Sequence, residues 1–324
     1  MKKNCLIIGG AGYIGSVLLD EIFNKYKITV FDSFLFNSIK TYKKNYPDYK
    51  FIQGDINKDI TIKYFGKVDL VIHLAGLAND PSSDYDPNYA VQTNHISTVK
   101  IAKLCKEAKV KKLIYASSCS VYGDYGKKLV DEKVDEKPLT VYALSKLSSE
   151  REILKLANNK FKVISLRFAT LFGYSPRMRF DLSVNVMTKN ILQKKNIVIN
   201  GNGEQYRSFV HVKDVVKSII FFATNKTKLE YNVFNIGSNS NNVKIISLTK
   251  IFKKIFPEIK VVKNLKNFDF RSYEVDFKRL NKIFPTKNFI SLDDGIIEIF
   301  NKYKNTNKNL EHKKFYNLKS MQLK

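Results

Sequence analysis

The sequence has few of the residues that form disulfides and metal sites. Its 324 residues include only three cysteines and four histidines. Cys5, Cys105 and Cys119 form no Cys-x-x-Cys pair, and the histidines lack the spacing of metal ligands. We therefore expect no disulfide and no bound metal ion.

Long apolar runs are also missing. No stretch approaches the apolar length of a membrane span, and the first apolar run meets glycines after four residues, which excludes a secretory core there. Hydrophobic residues nevertheless make up 44% of the chain, which is ordinary for a globular protein. We expect a cytoplasmic protein with no membrane partner, and the chain is long enough for two lobes.

Acidic residues are scarce beside basic ones. The chain has 30 aspartates and glutamates against 56 lysines and arginines, a formal net charge of +26. Clustered basic residues would indicate nucleic-acid binding. Here the lysines are spread along the whole chain, so we expect no nucleic-acid partner. The charge would instead attract anionic substrates to the surface.

The most informative feature that is present is a glycine-rich turn near the start of the chain. An apolar run precedes the segment 9–15, Gly-Gly-Ala-Gly-Tyr-Ile-Gly, and an amphipathic pattern comes after it. This order predicts a strand, a turn and a helix. Gly10, Gly12 and Gly15 fit the dinucleotide fingerprint, in which bare backbone approaches a pyrophosphate at the helix N-terminus.

An aspartate strengthens this interpretation. A second predicted strand, 28–31, is followed by Asp32, seventeen residues beyond Gly15 (32 − 15). A carboxylate at this distance can accept the adenosine ribose hydroxyls and would repel a 2′-phosphate. The pattern favours NAD over NADP, although an aspartate here could also cap the next turn at the surface.

Tyr142 and Lys146 supply a candidate base. Residues four apart on a helix share one face, so the ammonium can sit near the phenol and lower its pKa. The phenolate could then take a proton from a hydroxyl group. This spacing is common on solvated helices, and the glycine-rich turn gives it weight.

Strand and helix patterns alternate through the first half of the chain. The predicted strands are 6–8, 28–31, 50–52, 70–74, 112–116 and 163–168. The predicted helices include 86–108, 141–157 and 210–224. The first begins at Asp86, an N-cap followed by proline. This alternation predicts an α/β fold with a doubly wound parallel sheet, to which a strand at 233–236 returns.

With these residues, the chain resembles the extended short-chain dehydrogenase/reductase family, in its nucleotide-sugar epimerase and dehydratase branch. The resemblance runs from Gly9 to about Phe284. Its other supporting motifs are Asp55-Ile56, His73-Leu74-Ala75-Gly76 and Ser117-Ser118-Cys119-Ser120-Val121-Tyr122-Gly123. It implies an enzyme with a Rossmann-type sheet, a smaller C-terminal substrate lobe and NAD as cofactor.

The resemblance also implies a division of the chain. Residues 1–167, with a return segment at about 208–236, would form the NAD-binding Rossmann domain. Residues 168–207 and 237–303 would form the lobe that binds a nucleotide sugar. The lysine-rich stretch 304–324 is expected to be a mobile tail.

Cofactor contacts are implied by the matched motifs. Asp55 and Ile56 would lie against the adenine ring, and the backbone of Ala75 and Gly76 would run toward the nicotinamide. The implied cofactor-binding residues are Gly9, Gly12, Tyr13, Ile14, Gly15, Asp32, Asp55, Ile56, Leu74, Ala75, Gly76, Tyr142 and Lys146.

Catalytic and substrate contacts are implied in the same way. The catalytic residues would be Ser118, Tyr142 and Lys146, with Ser118 bonded to the reacting sugar hydroxyl. The implied substrate-binding residues are Ser118, Thr170, Asn185, Arg207 and Arg271. Both arginines match phosphate-holding positions of the family, a task that suits a planar, permanently charged fork. Thr170 stands where relatives often have asparagine, and Asn185 lies in the unusually charged segment 175–185.

The two residues after Ser118 bear on the type of reaction. In 4,6-dehydratases of this branch an acid and a glutamate base come after the catalytic serine or threonine, whereas this chain has Cys119 and Ser120. Without those proton-transfer groups, the resemblance favours an NAD-dependent epimerase acting at C4 of a nucleotide-diphosphate sugar through a 4-keto intermediate. A nucleotide-sugar 4-reductase or dehydrogenase, a 4,6-dehydratase, and a non-catalytic NAD-binding regulator remain alternatives.

Helices 86–108 and 141–157 pair across a twofold axis in relatives, so the resemblance implies a homodimer. Enzymes of this branch usually serve surface polysaccharide synthesis.

Overall fold

The computed structural model of the protein describes residues 2–22, 25–265, 269 and 271–322. Its strands are β1 (Lys3–Ile8), β2 (Tyr26–Asp32), β3 (Lys50–Gln53), β4 (Leu70–His73), β5 (Lys112–Ser118), β6 (Asp124–Val130), β7 (Lys162–Phe168), β8 (Thr170–Phe172), β9 (Ile197–Asn200), β10 (Tyr206–His211), β11 (Val233–Ile236), β12 (Asn242–Lys244), β13 (Val261–Asn264) and β14 (Ser272–Val275). Its α-helices are α1 (Tyr13–Ile22), α2 (Ile39–Asn45), α3 (Asp80–Tyr85), α4 (Pro87–Val91), α5 (Ser97–Glu107), α6 (Val141–Leu154), α7 (Ser183–Leu192), α8 (Val212–Thr224), α9 (Ile245–Ile255), α10 (Lys278–Asn281), α11 (Leu292–Tyr303) and α12 (Asn317–Met321). Within these ranges, every helix is too short or too polar to cross a membrane.

A seven-stranded parallel sheet forms the centre of the molecule, in the order β3-β2-β1-β4-β5-β7-β11. The strand order reverses between β1 and β4, which is the topological switch point of a doubly wound fold. The predicted fold class and all six predicted strands of the first half are confirmed.

The sheet is buried on both faces, as its apolar runs require. Along β1, Leu6 and Ile8 belong to one hydrophobic cluster, while Ile7 belongs to another on the opposite face. The first cluster includes Ile101 of α5, and the second includes Leu18 of α1. Alternate side chains of one strand therefore anchor helices on opposite sides.

The helix predicted over 86–108 is present but interrupted. The Asp86 carboxylate caps α4 by accepting a hydrogen bond from the Tyr89 amide at 2.9 Å. A π-helical segment, Gln92–Ile96, then separates α4 from α5. Within it, Asn94 exchanges hydrogen bonds with the backbone of Leu77 at 2.8 and 3.1 Å. Such π segments are frequent at functional sites. This one faces the cleft at the carboxyl ends of β1 and β4, where Thr93 is one of the lining residues.

The second lobe consists of short sheets and helices. β8, β10 and β12 form one small sheet, β9 and β13 another, and β6 pairs with β14. The helix predicted from Val210 begins at Val212, because Val210 and His211 complete β10 and pair with β8. The His211 imidazole then caps α8 by accepting from the Lys213 amide at 3.2 Å.

The C-terminal stretch differs from the expected mobile tail. Residues 304–322 pack on the body of the protein, and Leu310 and Phe315 are each only 5% exposed. The Phe180 amide donates to the Phe315 carbonyl at 2.9 Å, and Lys189 pairs with Glu311. These two buried apolar side chains hold the lysine-rich stretch against the rest of the protein.

Candidate active site

A cleft of about 620 Å³ opens at the carboxyl ends of β1 and β4. Ligands of doubly wound sheets bind outside this edge, at the switch point. The structure brings eleven of the predicted cofactor residues together along the cleft: Gly9, Gly12, Tyr13, Ile14, Gly15, Asp32, Asp55, Ile56, Leu74, Ala75 and Gly76.

The glycine-rich turn is packed too tightly to admit a side chain at Gly9 or Gly15. Gly9 has a φ of +86°, and a Cβ atom there would lie 2.4 Å from the Ala75 amide nitrogen. A Cβ atom on Gly15 would lie 2.4 Å from the Gly10 carbonyl oxygen. The turn therefore presents backbone at the N-terminus of α1, where a pyrophosphate binds well. These residues fit NAD.

Asp32 lies at the end of β2 on the wall of the cleft. Its carboxylate accepts hydrogen bonds from the Ala11 amide at 2.9 Å and the Phe34 amide at 2.7 Å. Burial raises its pKa, and these hydrogen bonds oppose the effect. The remaining acceptor capacity of this carboxylate suits ribose hydroxyls.

Tyr142 and Lys146 of α6 are not among the residues that line the cleft, but Lys146 lies close to Gly76, which does line it. Its ammonium donates to the Ala116 carbonyl at 2.8 Å and lies 3.6 Å from the position of a Cβ atom on Gly76. Burial lowers the pKa of Lys146 to about 8. The ammonium group therefore lies next to Gly76, at the end of the backbone segment that is predicted to run along the cofactor.

Tyr142 and Ser118 face each other beside this cation. Burial raises the pKa of Tyr142 to about 12, although a hydrogen bond with Ser118 and the charges of Arg179 and Arg271 lower it. The spacing of Tyr142 and Lys146 predicted a lowered pKa for the phenol. In the protein without its cofactor, burial raises this pKa more than the positive charges lower it. The Ser118 hydroxyl in turn accepts from the Ser120 hydroxyl at 2.9 Å.

The Cys119 thiol is not placed to take part in proton transfer at this site. Its side chain is buried at the end of β5, and its thiol donates to the Arg167 carbonyl at 3.2 Å. Burial raises the pKa of the thiol far above its usual value. The residue therefore acts as a small packed side chain.

The two predicted phosphate-binding arginines converge on one carboxylate. Arg207 contacts Asp269 at 2.6 Å, and Arg271 makes two hydrogen bonds to it at 2.8 and 2.9 Å. Arg271 also pairs with Asp80 at the start of α3, across the cleft. Burial raises the pKa of Asp269, but hydrogen bonds with Arg271 and the charge of Arg207 hold it at about 2. Phe270 lies outside the described residues.

Asn185 lies in the first turn of α7. It is fully buried, and its amide accepts from the Gly173 amide at 3.1 Å while donating to the Arg179 carbonyl at 2.9 Å and the Tyr13 hydroxyl at 3.2 Å. With both ends of its amide engaged, it fixes the loop after β8, and its contact with substrate phosphates stays a prediction. Thr170 is half-buried in β8, paired with Phe209 of β10.

Two arginines on that loop were not assigned from the sequence. Arg177 and Arg179 are both buried and both line the cleft. Arg179 makes two hydrogen bonds with Asp181, each of 3.0 Å. The signal that could have found them was an arginine pair within the charged segment 175–185 of a chain that otherwise prefers lysine.

Comparisons with known proteins agree with this architecture. A model of the NAD dependent epimerase/dehydratase family matches residues 5–237. A putative UDP-glucose 4-epimerase of Methanocaldococcus jannaschii is 29% identical over 317 residues, covering 94% of this chain and 99% of its own length. The dTDP-D-glucose 4,6-dehydratase of Homo sapiens is 28% identical over 276 residues, covering 82% of this chain and 77% of its own length.

A solved structure is also similar. The UDP-glucuronic acid 4-epimerase from Bacillus cereus, in complex with UDP-glucuronic acid and NAD, superposes with a TM-score of 0.80 at 26% identity, covering 92% of this chain and 98% of that chain. The family resemblance expected from the sequence is confirmed. Since the family model covers well over half of the chain and the cleft is built as a dinucleotide site, the protein belongs to the NAD-dependent epimerase/dehydratase family and is an enzyme that uses NAD.

Proposed function

We propose that the protein is an NAD-dependent epimerase that inverts C4 of a nucleotide-diphosphate sugar. The observation that carries this proposal is the hydrogen bond between Tyr142 and Ser118, with Lys146 one helical turn further along α6, its ammonium close to Gly76 of the cleft, and no carboxylate at the two positions after Ser118. The similar 4-epimerases from M. jannaschii and B. cereus make a UDP-sugar the first substrate to test.

In this proposal the first half-reaction is an oxidation at C4. Tyr142 takes the proton of the sugar hydroxyl while Ser118 shares the hydrogen bond and holds the oxygen in place. Bound NAD would supply the hydride acceptor and a positive ring that favours the phenolate. The nearby charges of Arg179 and Arg271 act in the same direction on the pKa of Tyr142.

The second half-reaction needs the opposite face of the sugar. Arg207 and Arg271 would hold the diphosphate through paired hydrogen bonds while the 4-keto sugar turns about its phosphate linkage. Hydride return to the opposite face of C4 would restore the oxidised cofactor, and Tyr142 gives its proton back to the C4 oxygen, which becomes the inverted hydroxyl. Because the net reaction involves no oxidation, one acid–base residue serves both directions and the cofactor remains bound.

A 4,6-dehydratase fits the site less well. Elimination across C5 and C6 requires a further acid and a base, and the positions next to Ser118 hold a buried thiol and a hydroxyl. A 4-reductase or dehydrogenase would use the same three catalytic residues, so only the products separate it from an epimerase.

We further propose that two copies pair through the helices α4 to α6, as the sequence resemblance implies. Large apolar side chains are exposed there, including Ile96 of the π segment (49%) and Leu144 of α6 (55%). A shallow groove lined by His95, Ile96 and Glu152 joins the π segment to α6. A second copy of this face would cover these side chains. The enzyme would act in the cytoplasm and supply sugars for surface polysaccharide.

The test is NMR of the purified protein with NAD and a panel of UDP-, GDP-, dTDP- and CDP-sugars in D₂O. We expect an inverted C4 without deuterium at that carbon. A 4-keto-6-deoxy product carrying deuterium would make the enzyme a dehydratase and refute the proposal. Stoichiometric consumption of NAD or NADH would instead indicate a dehydrogenase or reductase. Tyr142→Phe is the matched inactive control.

A further inference from the structure

Arg177 lies in the cofactor cleft although it comes from the second lobe. It lies beyond β8 in the chain, is only 3% exposed, and lines the same cavity as the glycine-rich turn. Arg177 is not among the predicted cofactor contacts and has no role in the proposed reaction. A buried arginine in a ligand cleft requires an explanation, because burying a guanidinium is costly unless it is paired.

The guanidinium is held on two sides. Its central carbon lies 3.5 Å from the centre of the Phe36 ring, and Nη2 donates to the Asn317 side-chain oxygen at 2.6 Å. Its Nε is buried and has no hydrogen-bond partner among the described residues. The group is therefore positioned on an aromatic face, and its buried Nε–H is left for a further acceptor.

Neighbouring residues place the Arg177 guanidinium near the glycine-rich turn. Arg177 interacts electrostatically with Asp32 and Tyr42. The Tyr42 hydroxyl donates to the Ala11 carbonyl, in the turn itself, at 3.1 Å. Burial and the nearby Arg179 lower the pKa of Arg177 to about 9, because the opposing negative charges of Asp181 and Asp32 fall short of the charge that the buried guanidinium needs. An anionic group at the N-terminus of α1 would supply that charge.

We propose that Arg177 binds the pyrophosphate of NAD, and that Asn317 of the C-terminal helix α12 positions it for this contact. Met321 and Gln322 line the same cavity, so the C-terminal segment forms part of the cofactor site. The proposal rests on the use of NAD and is independent of the sugar and of the reaction catalysed.

Titration calorimetry on cofactor-stripped protein tests the proposal with NAD, ADP and adenosine as probes. We expect Arg177→Gln to weaken NAD and ADP binding about tenfold to a hundredfold, the effect of losing a charge-assisted hydrogen bond, and to leave adenosine binding unchanged. Arg177→Lys should recover part of the loss, and Asn317→Ala should weaken NAD and ADP less. Arg279→Gln is the matched control, because Arg279 also stacks on a ring, that of Tyr231, outside the cleft.

Several outcomes would overturn the proposal. Equal losses for adenosine and ADP would mean that Arg177 packs against the nucleoside. A loss confined to NADP, tested in parallel, would indicate a 2′-phosphate site. Unchanged affinities with a lower melting temperature would leave Arg177 a structural residue. If Arg177→Gln does not fold, Arg177→Lys and Asn317→Ala must show the diphosphate-selective loss for the proposal to stand. A wild-type protein that binds no NAD would refute the cofactor itself, which is a separate result.

Discussion

At the scale of single residues, Tyr142 is the side chain on which the proposed chemistry depends. We expect Tyr142→Phe to lower kcat by about 10²–10⁴-fold, the usual contribution of a positioned acid–base group. NAD affinity and melting temperature should stay close to wild type, because the ring and its packing are kept. Steady-state kinetics and titration calorimetry measure the two quantities. Substantial remaining turnover would point to another base.

Lys146 gives a prediction about pH and stability. Its pKa falls from 10.5 to about 8 on folding, which corresponds to about 3 kcal/mol because each pKa unit is worth about 1.4 kcal/mol. The folded state has the lower pKa, so its charged lysine is a cost below pH 8. Between pH 8 and 10.5 the folded state releases a proton that the unfolded state keeps, and the cost disappears.

We therefore expect the free energy of unfolding of the wild type to rise relative to Lys146→Met as the pH increases from 7 toward 10. Urea denaturation of the cofactor-free proteins at several pH values measures the difference. A difference that does not change with pH would mean that Lys146 is charged without penalty in the folded protein.

Sequence reasoning succeeded for residues whose identity is dictated by backbone geometry. Gly9 and Gly15 could be predicted because only glycine fits where another backbone approaches within van der Waals contact. Arg177 and Asn185 could not, because their roles depend on how the loop after β8 folds back against α1 and α12. That packing joins segments far apart in the sequence and leaves no local pattern.

At the scale of elements, the unit β1, turn and α1 is the part of the fold most tightly defined by sequence. We expect Gly15→Ala to destabilise the protein by about 3 kcal/mol, since an added Cβ atom would press on the Gly10 carbonyl and the core has no room to yield. NAD binding should be lost as well. Thermal unfolding and calorimetry measure these effects.

Gly66→Ala is the matched control, because a Cβ atom on the exposed Gly66 meets nothing within 4 Å. We expect its stability to be unchanged or slightly increased. Equal destabilisation by both substitutions would mean that the close approach at Gly15 relaxes easily.

Element boundaries were harder to predict than elements. The π segment 92–96 keeps nearly the same apolar periodicity as the helices around it, so the pattern predicted one continuous helix. Val210 lies near the boundary between β10 and α8, and an apolar residue there is compatible with both the end of a strand and the start of a helix. The burial of the C-terminal stretch could not be predicted, because a few apolar residues among many lysines are a weak signal.

At the scale of the whole molecule, the proposed homodimer can be tested by one surface charge. We expect the wild type to have twice the chain mass of 37.4 kDa in light scattering, and Leu144→Asp to approach the mass of one chain. Leu265→Asp is the matched control, because Leu265 is 62% exposed and lies outside the pairing helices. A wild-type protein of single-chain mass would refute the dimer.

The first half of the molecule could be predicted further than the second. A parallel sheet repeats one unit, and each strand shows its own apolar run. The second lobe includes strands of only three or four residues, such as β8 and β9, which are too short to show periodicity. Its division from the cofactor domain therefore remains a proposal.

The shared contact of Arg207 and Arg271 with Asp269 has a consequence for ligand discrimination. An incoming ligand must replace a carboxylate that already satisfies both guanidinium groups, and at Arg271 it must also compete with Asp80. Binding strength is then a difference between two sets of contacts. If Arg207 and Arg271 bind phosphate, two linked phosphates can engage each arginine with a separate group, whereas a single phosphate must reach both. We therefore expect the protein's own carboxylates to favour nucleoside diphosphates over monophosphates at this site.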